Sequence, residues 1–270
     1  MRGISRASVA QLEEQLASQR LGAQDLRELG NQLLAIAGLL ASQSVLRRAL
    51  TDPSRSADAR SELATSLLTG RVSASASALV AAAAAAPWAA PGDLTDAVEQ
   101  LGVQSIAAAA EAERRLDELE DELFRFSRIV ASQPNLRMAL TNPFVSADHK
   151  RELLSRLLAD KVTPETLRLI TEAAVSQLGR SLDVSLEEYA KLAARRRERL
   201  VAEVHVAVPL SDQQRGRLAA ALSGIYGHQV HLNVVLDPRI SGGMTVRIGD
   251  ELIDGSVAAR LAEARRRLVA

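Results

Sequence analysis

The sequence has no cysteine and very few aromatic residues. The absence of cysteine from all 270 positions excludes disulfide bridges, thiol nucleophiles and thiolate metal ligands, and it fits a reducing compartment such as the cytoplasm. Aromatic residues make up only 2% of the chain although hydrophobic residues make up 47%, because much of the apolar content is alanine and leucine. Both residues have a high helix propensity. The composition therefore predicts a mainly α-helical protein.

An excess of charge of either sign is also missing. Lysine and arginine together number 33, as do aspartate and glutamate, so the net charge gives no reason to expect nucleic acid as a partner. The most apolar window, residues 76–90, contains Pro87 and is shorter than the roughly 20 residues of a membrane-spanning helix. We predict a buried helix there. The N-terminus lacks the apolar core of a secretory signal, so any association with a membrane is expected to come through partners.

Familiar catalytic and nucleotide-binding motifs are absent as well. There is no Gly-x-x-x-x-Gly-Lys-Ser/Thr segment, and Gly242 and Gly243 open into a predicted strand rather than a helix, which indicates a turn and not a phosphate cradle. His228 and His231 are close in sequence, but residues three apart on a strand point to opposite faces. We therefore predict no catalytic residue, no cofactor and no metal ion.

What the sequence does contain is an internal repeat. The segments 42–63 and 132–153, offset by 90 positions, are identical at 13 of 22 positions. Each holds a Thr-Asx-Pro corner, whose proline disfavours helix at the residue before it, and a serine three residues later can cap the next helix. Two helical copies with equivalent corners are predicted. The leucines predicted to face the core after each corner are Leu63, Leu67 and Leu68 in the first copy and Leu153, Leu157 and Leu158 in the second.

The pattern changes after about residue 200. A long helix predicted over 181–203 is followed by a valine-rich strand that ends at Pro209, and then by a helix and two further strands. We predict a mainly α fold, with tandem helical-bundle units followed by a small mixed α/β C-terminal domain. The sequence leaves open whether the two copies form separate bundles or share helices. The predicted ranges are 1–105 for the first helical unit, 106–200 for the second and 201–270 for the α/β domain. Within the α/β domain we expect a helix at 212–225 and strands at 230–236 and 244–248. A last helix is expected at 257–268, capped at Asp254 and Ser256.

The stretch 234–268 contains a specific order of short motifs. A strand ends in Asp-Pro, and a Gly-Gly turn, Arg-Ile-Gly-Asp, Ile-Asp-Gly-Ser and a basic helix follow. This order resembles the C-terminal end of the bacterial F-type ATP synthase delta subunit, whose mitochondrial counterpart is the oligomycin-sensitivity-conferring protein. The resemblance covers about residues 110–270, and the first helical copy is extra because members of this family carry the corner motif once. The residues that carry the resemblance are Asp237, Pro238, Gly242, Gly243, Arg247, Gly249, Asp250, Asp254, Gly255 and Ser256, with Asn142 and Pro143 at the corner of the second copy.

The resemblance implies a structural subunit without an active site. In the family, the helical bundle binds the alpha/beta head and the N-terminal helices of alpha subunits, and the C-terminal domain holds the b subunit of the peripheral stalk. One copy per complex is then expected at the cytoplasmic face of the cell membrane, bound there only through the complex. Whether b is a separate chain stays open. The alternative is a helical-repeat interaction scaffold unrelated to ATP synthase.

Overall fold

A computed structural model describes residues 3–176, 179–197, 200–226, 230–237, 240, 242–248 and 251–254. These residues form twelve helices and four strands, and the strands lie in the C-terminal part of the chain. The predicted fold class, mainly α with a small α/β C-terminal part, is confirmed. The chain divides into two compact units, Met1–Arg196 and Arg197–Ala270.

The helices of the first unit repeat with the period seen in the sequence. A shift of 90 positions carries α3, α4 and α5 onto α8, α9 and α10 residue for residue. The repeat therefore extends well beyond the segment that is recognisable by identity. The helices are α1 Gly3–Ala17, α2 Ala23–Ser42, α3 Ser44–Thr51, α4 Ala57–Leu68, α5 Ala74–Ala85, α6 Pro91–Ala112, α7 Leu116–Ser132, α8 Pro134–Thr141, α9 Ala147–Leu158, α10 Pro164–Val175 and α11 Leu182–Arg197.

The helix α6 belongs to both copies. The same shift of 90 positions relates α1 to α6 and α6 to α11, so α6 is the last helix of the first copy and the first helix of the second. Its N-terminal half contributes Leu94 and Leu101 to the core of the first copy, and its C-terminal half contributes Val103 and Ile106 to the core of the second. The two copies thus share a helix. The predicted boundary at residue 105 falls inside it, and the division into units at that residue stays a prediction.

The corners between helices are built alike in both copies. Asn142 ends α8, and its side-chain Oδ1 accepts a hydrogen bond of 2.9 Å from the Phe144 amide, as Asp52 does from Ser54 in the first copy. The next helix in each copy starts at a serine cap, Ser56 or Ser146, whose hydroxyl accepts a bond from the amide three residues on. The predicted corners and caps are confirmed. The prediction that Leu67 and Leu157 face the core is wrong, because both are exposed and the more buried residues of these helices are Ala64 and Leu154.

The most apolar helix, α5, is buried as predicted but shorter than the apolar window. It ends at Ala85, and Ala86 is its extended C-cap before Pro87. Trp88 lies beyond that end and donates a hydrogen bond of 2.8 Å from its indole to the Ala83 carbonyl. Within the described residues, no single helix is long and apolar enough to cross a membrane. Only α2 and α3 taken together have the required length and composition, and they are bent by 104° where they meet.

Two glycines allow α2 and α6 to cross closely. A Cβ atom at Gly30 would lie 2.8 Å from the Ile106 side chain and 2.9 Å from the Gly102 carbonyl oxygen, and one at Gly102 would lie 2.8 Å from Leu34. Real Cβ atoms do not come this close to other heavy atoms, so the crossing depends on both glycines. The close approach buries Leu34 almost completely.

The second unit contains a four-stranded sheet. Its elements are β1 Leu200–Val206, α12 Asp212–Tyr226, β2 Val230–Leu236, β3 Met244–Ile248 and β4 Glu251–Asp254, and the strand order is β2-β1-β3-β4. β1 and β2 are parallel and are connected through α12, whereas β3 pairs antiparallel with β1 and β4. The inward side chains of β1, Ala202, Val204 and Val206, are buried at alternate positions.

Two sequence predictions need correction here. The helix predicted over 181–203 ends at Arg197, and β1 already begins at Leu200, because the alternating valines favour a strand over continued helix. β4 was not expected, since four residues are too few to show a strand pattern. The predicted last helix at 257–268 lies outside the described residues.

Candidate functional site

A network of charged side chains joins the two helical copies. The carboxylate of Glu165, at the start of α10, is fully buried and accepts hydrogen bonds from Arg27 of α2 and, at 3.2 Å, from Arg115. Both arginines also pair with Glu113 at the end of α6. The hydrogen bond to Glu165 raises the pKa of Arg27, and the bond from Arg27 lowers the pKa of Glu113. The network thus compensates a buried charge and fixes α2 against α10.

A second polar cluster lies where α1, α6 and α11 border a cleft of about 440 Å³. The buried Glu99 accepts a hydrogen bond of 2.6 Å from the Tyr189 hydroxyl and pairs with Arg180. Burial raises the pKa of Tyr189 and also that of Asp96, which lines the same cleft. Glu99 is thus paired with both Tyr189 and Arg180, and its carboxylate connects α6 to α11 and to the segment before it.

Large apolar side chains are exposed on the second copy where the first copy is polar or packed. Phe144, at the corner, is 95% exposed and corresponds to Ser54, while Met138 corresponds to Arg48. Exposed apolar groups of this size are typical of surfaces that bind another protein. We call Met138 and Phe144 the corner patch.

The predicted signature residues fall into two separate regions. Asn142 and Pro143 form the second corner, with Asn142 half-buried and Pro143 exposed. They contact their own corner, and their role toward a partner stays a prediction. Pro238, Gly249, Asp250, Gly255 and Ser256 lie outside the described residues.

The described C-terminal signature residues surround β1 and β3. The amide of Asp237 donates a hydrogen bond of 3.0 Å to the carbonyl of Val206, the last residue of β1. Gly242 and Gly243 have φ values of 151° and 81°, a backbone that favours glycine, and the predicted turn into β3 is confirmed. The two remaining positions are strand residues: Arg247 of β3 pairs in register with Glu203 of β1, and Asp254 of β4 pairs with Thr245 of β3.

Some of these features could not be expected from the sequence. Glu165 follows Pro164 and would be assigned to the first turn of a helix, where acidic residues are common. Nothing in its neighbourhood points to Arg27, which is 138 positions away. The only signal for the tight crossing of α2 and α6 is a pair of glycines inside helical patterns, a feature that often has a packing reason.

Among the described residues, no three side chains of histidine, aspartate or glutamate are grouped so that they could hold a metal ion. His228 lies outside those residues, and the side chain of His231 is not described either. The Nε2 atom of His205 lies 3.3 Å from the Glu203 carboxylate, and its Nδ1 atom lies 3.8 Å from the Asp237 carboxylate. Each ring nitrogen thus faces one carboxylate.

Comparison with known proteins identifies the family. The model of the family "ATP synthase delta (OSCP) subunit" matches residues 103–268, from within α6 to the C-terminal stretch. ATP synthase subunit delta of Thermobifida fusca is 46% identical over 268 residues, covering 99% of each chain, and that of Acidothermus cellulolyticus is 46% identical over 272 residues with the same coverage. The protein of Streptomyces avermitilis is 45% identical over 267 residues, with 98% of each chain covered.

These relatives match along the whole chain, so their alignment includes the first helical copy, which the family model leaves out. The resemblance seen in the sequence is thereby confirmed, and the extended form is shared with curated relatives. The chain belongs to the ATP synthase delta (OSCP) subunit family.

Proposed function

We propose that this chain is a non-catalytic stator subunit of a proton-translocating F-type ATP synthase. It links the catalytic alpha/beta head to the b subunit of the peripheral stalk, so that rotor torque is resisted and proton flow is coupled to ATP synthesis. The observation that carries this proposal, beside family membership, is the shared helix α6, which is buried without interruption from Leu101 to Ala110. Two helical copies joined through a buried helix have no flexible linker between them, which suits a subunit that must transmit force.

The proposed stator role also defines the partners. The helical copies bind the head, including the N-terminal helices of alpha subunits, and the C-terminal domain binds b. The corner patch supports a protein partner on the helical part, because it exposes apolar groups that the first copy lacks. One copy per complex sits at the cytoplasmic face of the cell membrane as a peripheral subunit, and it needs no cofactor of its own.

Reconstitution tests this function. Vesicles that contain the membrane sector with b are combined with the head, with and without the full chain, and ATP-driven proton pumping and ATP hydrolysis are both measured. We expect pumping and retention of the head to require the chain, while hydrolysis by the free head is unchanged. Equal pumping with and without the chain would refute the stator role and favour an unrelated scaffold.

A variant pair locates the partner surface. Phe144→Asp places a charge on the corner patch, and we expect weaker retention of the head on the vesicles. The matched control is Ser54→Asp, at the equivalent exposed corner of the first copy. Equal retention for the two variants would exclude the corner patch as a contact, without touching the stator role itself.

A further inference from the structure

Met138 is an exposed methionine on the outer side of α8. Its side chain is 65% exposed, and its carbonyl accepts a hydrogen bond of 3.0 Å from the amide of Asn142, at the corner that follows. The neighbouring leucines of the same helix, Leu136 and Leu140, pack in the core of the second copy instead. The thioether of Met138 is therefore accessible from solvent without any opening of the fold.

The fold does not require an apolar side chain at this position. The counterpart in the first copy is Arg48, which is also exposed and stands in a helix of the same length. Met138 is not a member of the apolar cluster that forms the core of the second copy. A change of polarity at its sulfur is thus expected to alter the corner patch and to leave the stability of the protein unchanged.

Sulfur chemistry in this chain is confined to methionine. The sequence contains no cysteine, and its three methionines are Met1, Met138 and Met244. Met1 lies outside the described residues, whereas Met244 of β3 is half-buried, packs against the core of the sheet and pairs in register with Val206. Because an oxidant must reach the sulfur atom, Met138 is the more reactive of the two described methionines.

We propose that Met138 is a reversible oxidation site that controls the binding of the head at the corner patch. Hydrogen peroxide transfers one oxygen atom to the Met138 sulfur: the peroxide O–O bond breaks, an S–O bond forms and water leaves. The sulfur is oxidised by two electrons and the peroxide is reduced. Methionine sulfoxide reductases reverse the step with electrons from a thiol. This inference rests on the proposed function, in which the corner patch contacts the head.

Oxidation makes the second corner similar to the first. The thioether is apolar, whereas the sulfoxide is polar, and covering it with a partner surface removes water from a group that has no new hydrogen-bond partner. The first copy has the polar residues Arg48 and Ser54 at the positions of Met138 and Phe144. The oxidised second copy therefore loses half of the apolar pair that distinguishes its corner.

The rate of oxidation tests the site itself. The full chain, free or bound to the purified head, is treated with hydrogen peroxide, and the sulfoxide content at positions 138 and 244 is followed by mass spectrometry. In the free chain we expect Met138 to be oxidised faster than Met244 by about fivefold or more. Binding of the head should slow oxidation of Met138 by a similar factor. Equal rates at the two methionines, or no protection by the head, would overturn the inference.

The affinity for the head tests the consequence. Peroxide treatment should weaken the binding of the wild-type chain by about fivefold or more, while its urea unfolding midpoint stays unchanged and the reductases restore the affinity. Met138→Leu keeps an apolar side chain of similar size without sulfur, so it should bind the head like the wild-type chain and no longer respond to peroxide. The matched control, Met244→Leu, should respond as the wild-type chain does.

The possible failures are distinguishable. Full oxidation of Met138 without loss of affinity would overturn the inference and leave the stator role intact. The same conclusion would follow if peroxide weakened Met138→Leu as strongly as the wild-type chain, because the sensitive group would then lie elsewhere. Failure of the untreated chain to bind the head would refute the proposed function itself, and the inference with it.

Discussion

The two helical copies have the same helices, yet they pack them differently. In the first copy, Gly30 and Gly102 let α2 and α6 approach closely, and Leu34 between them is 1% exposed. The corresponding residues of α7 and α11 in the second copy are Glu120 and Leu192, and Phe124, the counterpart of Leu34, is 58% exposed. A repeat therefore preserves helix lengths and caps, while side-chain volume at one crossing decides which face is core and which is surface.

The polar anchors of the two copies differ as well. Arg60 is buried and donates hydrogen bonds to the carbonyls of Ala84, Ala85 and Arg55, which ties α4 to the end of α5 and to the corner. Lys150 takes its place in the second copy and, within the described residues, has no hydrogen-bond partner. The first copy thus relies on one side chain that the second does without.

The largest loss of stability is expected when the Arg60 side chain is removed. Arg60→Ala removes the side chain that donates to five backbone carbonyl groups and that is itself buried, so we expect the free energy of unfolding to fall by about 3 kcal/mol. Lys150→Ala should cost less than about 1 kcal/mol. Urea denaturation followed by circular dichroism measures both. Similar losses for the two variants would show that the copies are anchored alike.

The next test uses one substitution at two sites of α2. Gly30→Ala puts a Cβ atom against Ile106 and the Gly102 carbonyl, and we expect a loss of about 2 kcal/mol. A Cβ atom at Gly38 would have no neighbour within 4 Å, so Gly38→Ala should raise the free energy of unfolding by about 0.5–1 kcal/mol through helix propensity alone. The signs should be opposite in urea denaturation. A stabilising Gly30→Ala would mean that the helices do not cross closely.

A smaller effect should be equal in both copies. Ser56→Ala and Ser146→Ala each remove a hydroxyl that caps a helix, and each should cost about 1 kcal/mol. The measurement is the thermal or urea unfolding midpoint of the single variants. Values that differ by more than their error would contradict the structural equivalence of the two corners.

The smallest effect depends on pH. Burial raises the pKa of Asp96 above its ordinary value of 3.8, so the folded protein holds this proton more tightly than the unfolded chain, and wild-type stability falls as pH rises through that window. Asp96→Asn should therefore be more stable at pH 7 by about 0.5 kcal/mol. The gain should vanish as the pH approaches 3.8. A less stable variant at pH 7 would show that attraction to Arg180 outweighs burial.

The features that the sequence predicted are those that depend on near neighbours. The corners with Asn142 and Ser146, the strands at 230–236 and 244–248 and the Gly-Gly turn follow from local chemistry. The pairing of Arg27 with Glu165 could not be predicted, because it depends on how the two copies pack. Leu67 was misplaced for a related reason: a helical period identifies a face, but only the packed neighbours show how far that face is covered.

The seam between the copies lies within a helix rather than in a loop. α6 has 22 residues and is therefore about 33 Å long. A force on one copy is thus transmitted to the other through one continuous, hydrogen-bonded helix. The repeat therefore lengthens the helical part of the chain without adding a flexible linker between the copies. Its compliance under load is then set by how much a helix bends and not by how freely a linker swings.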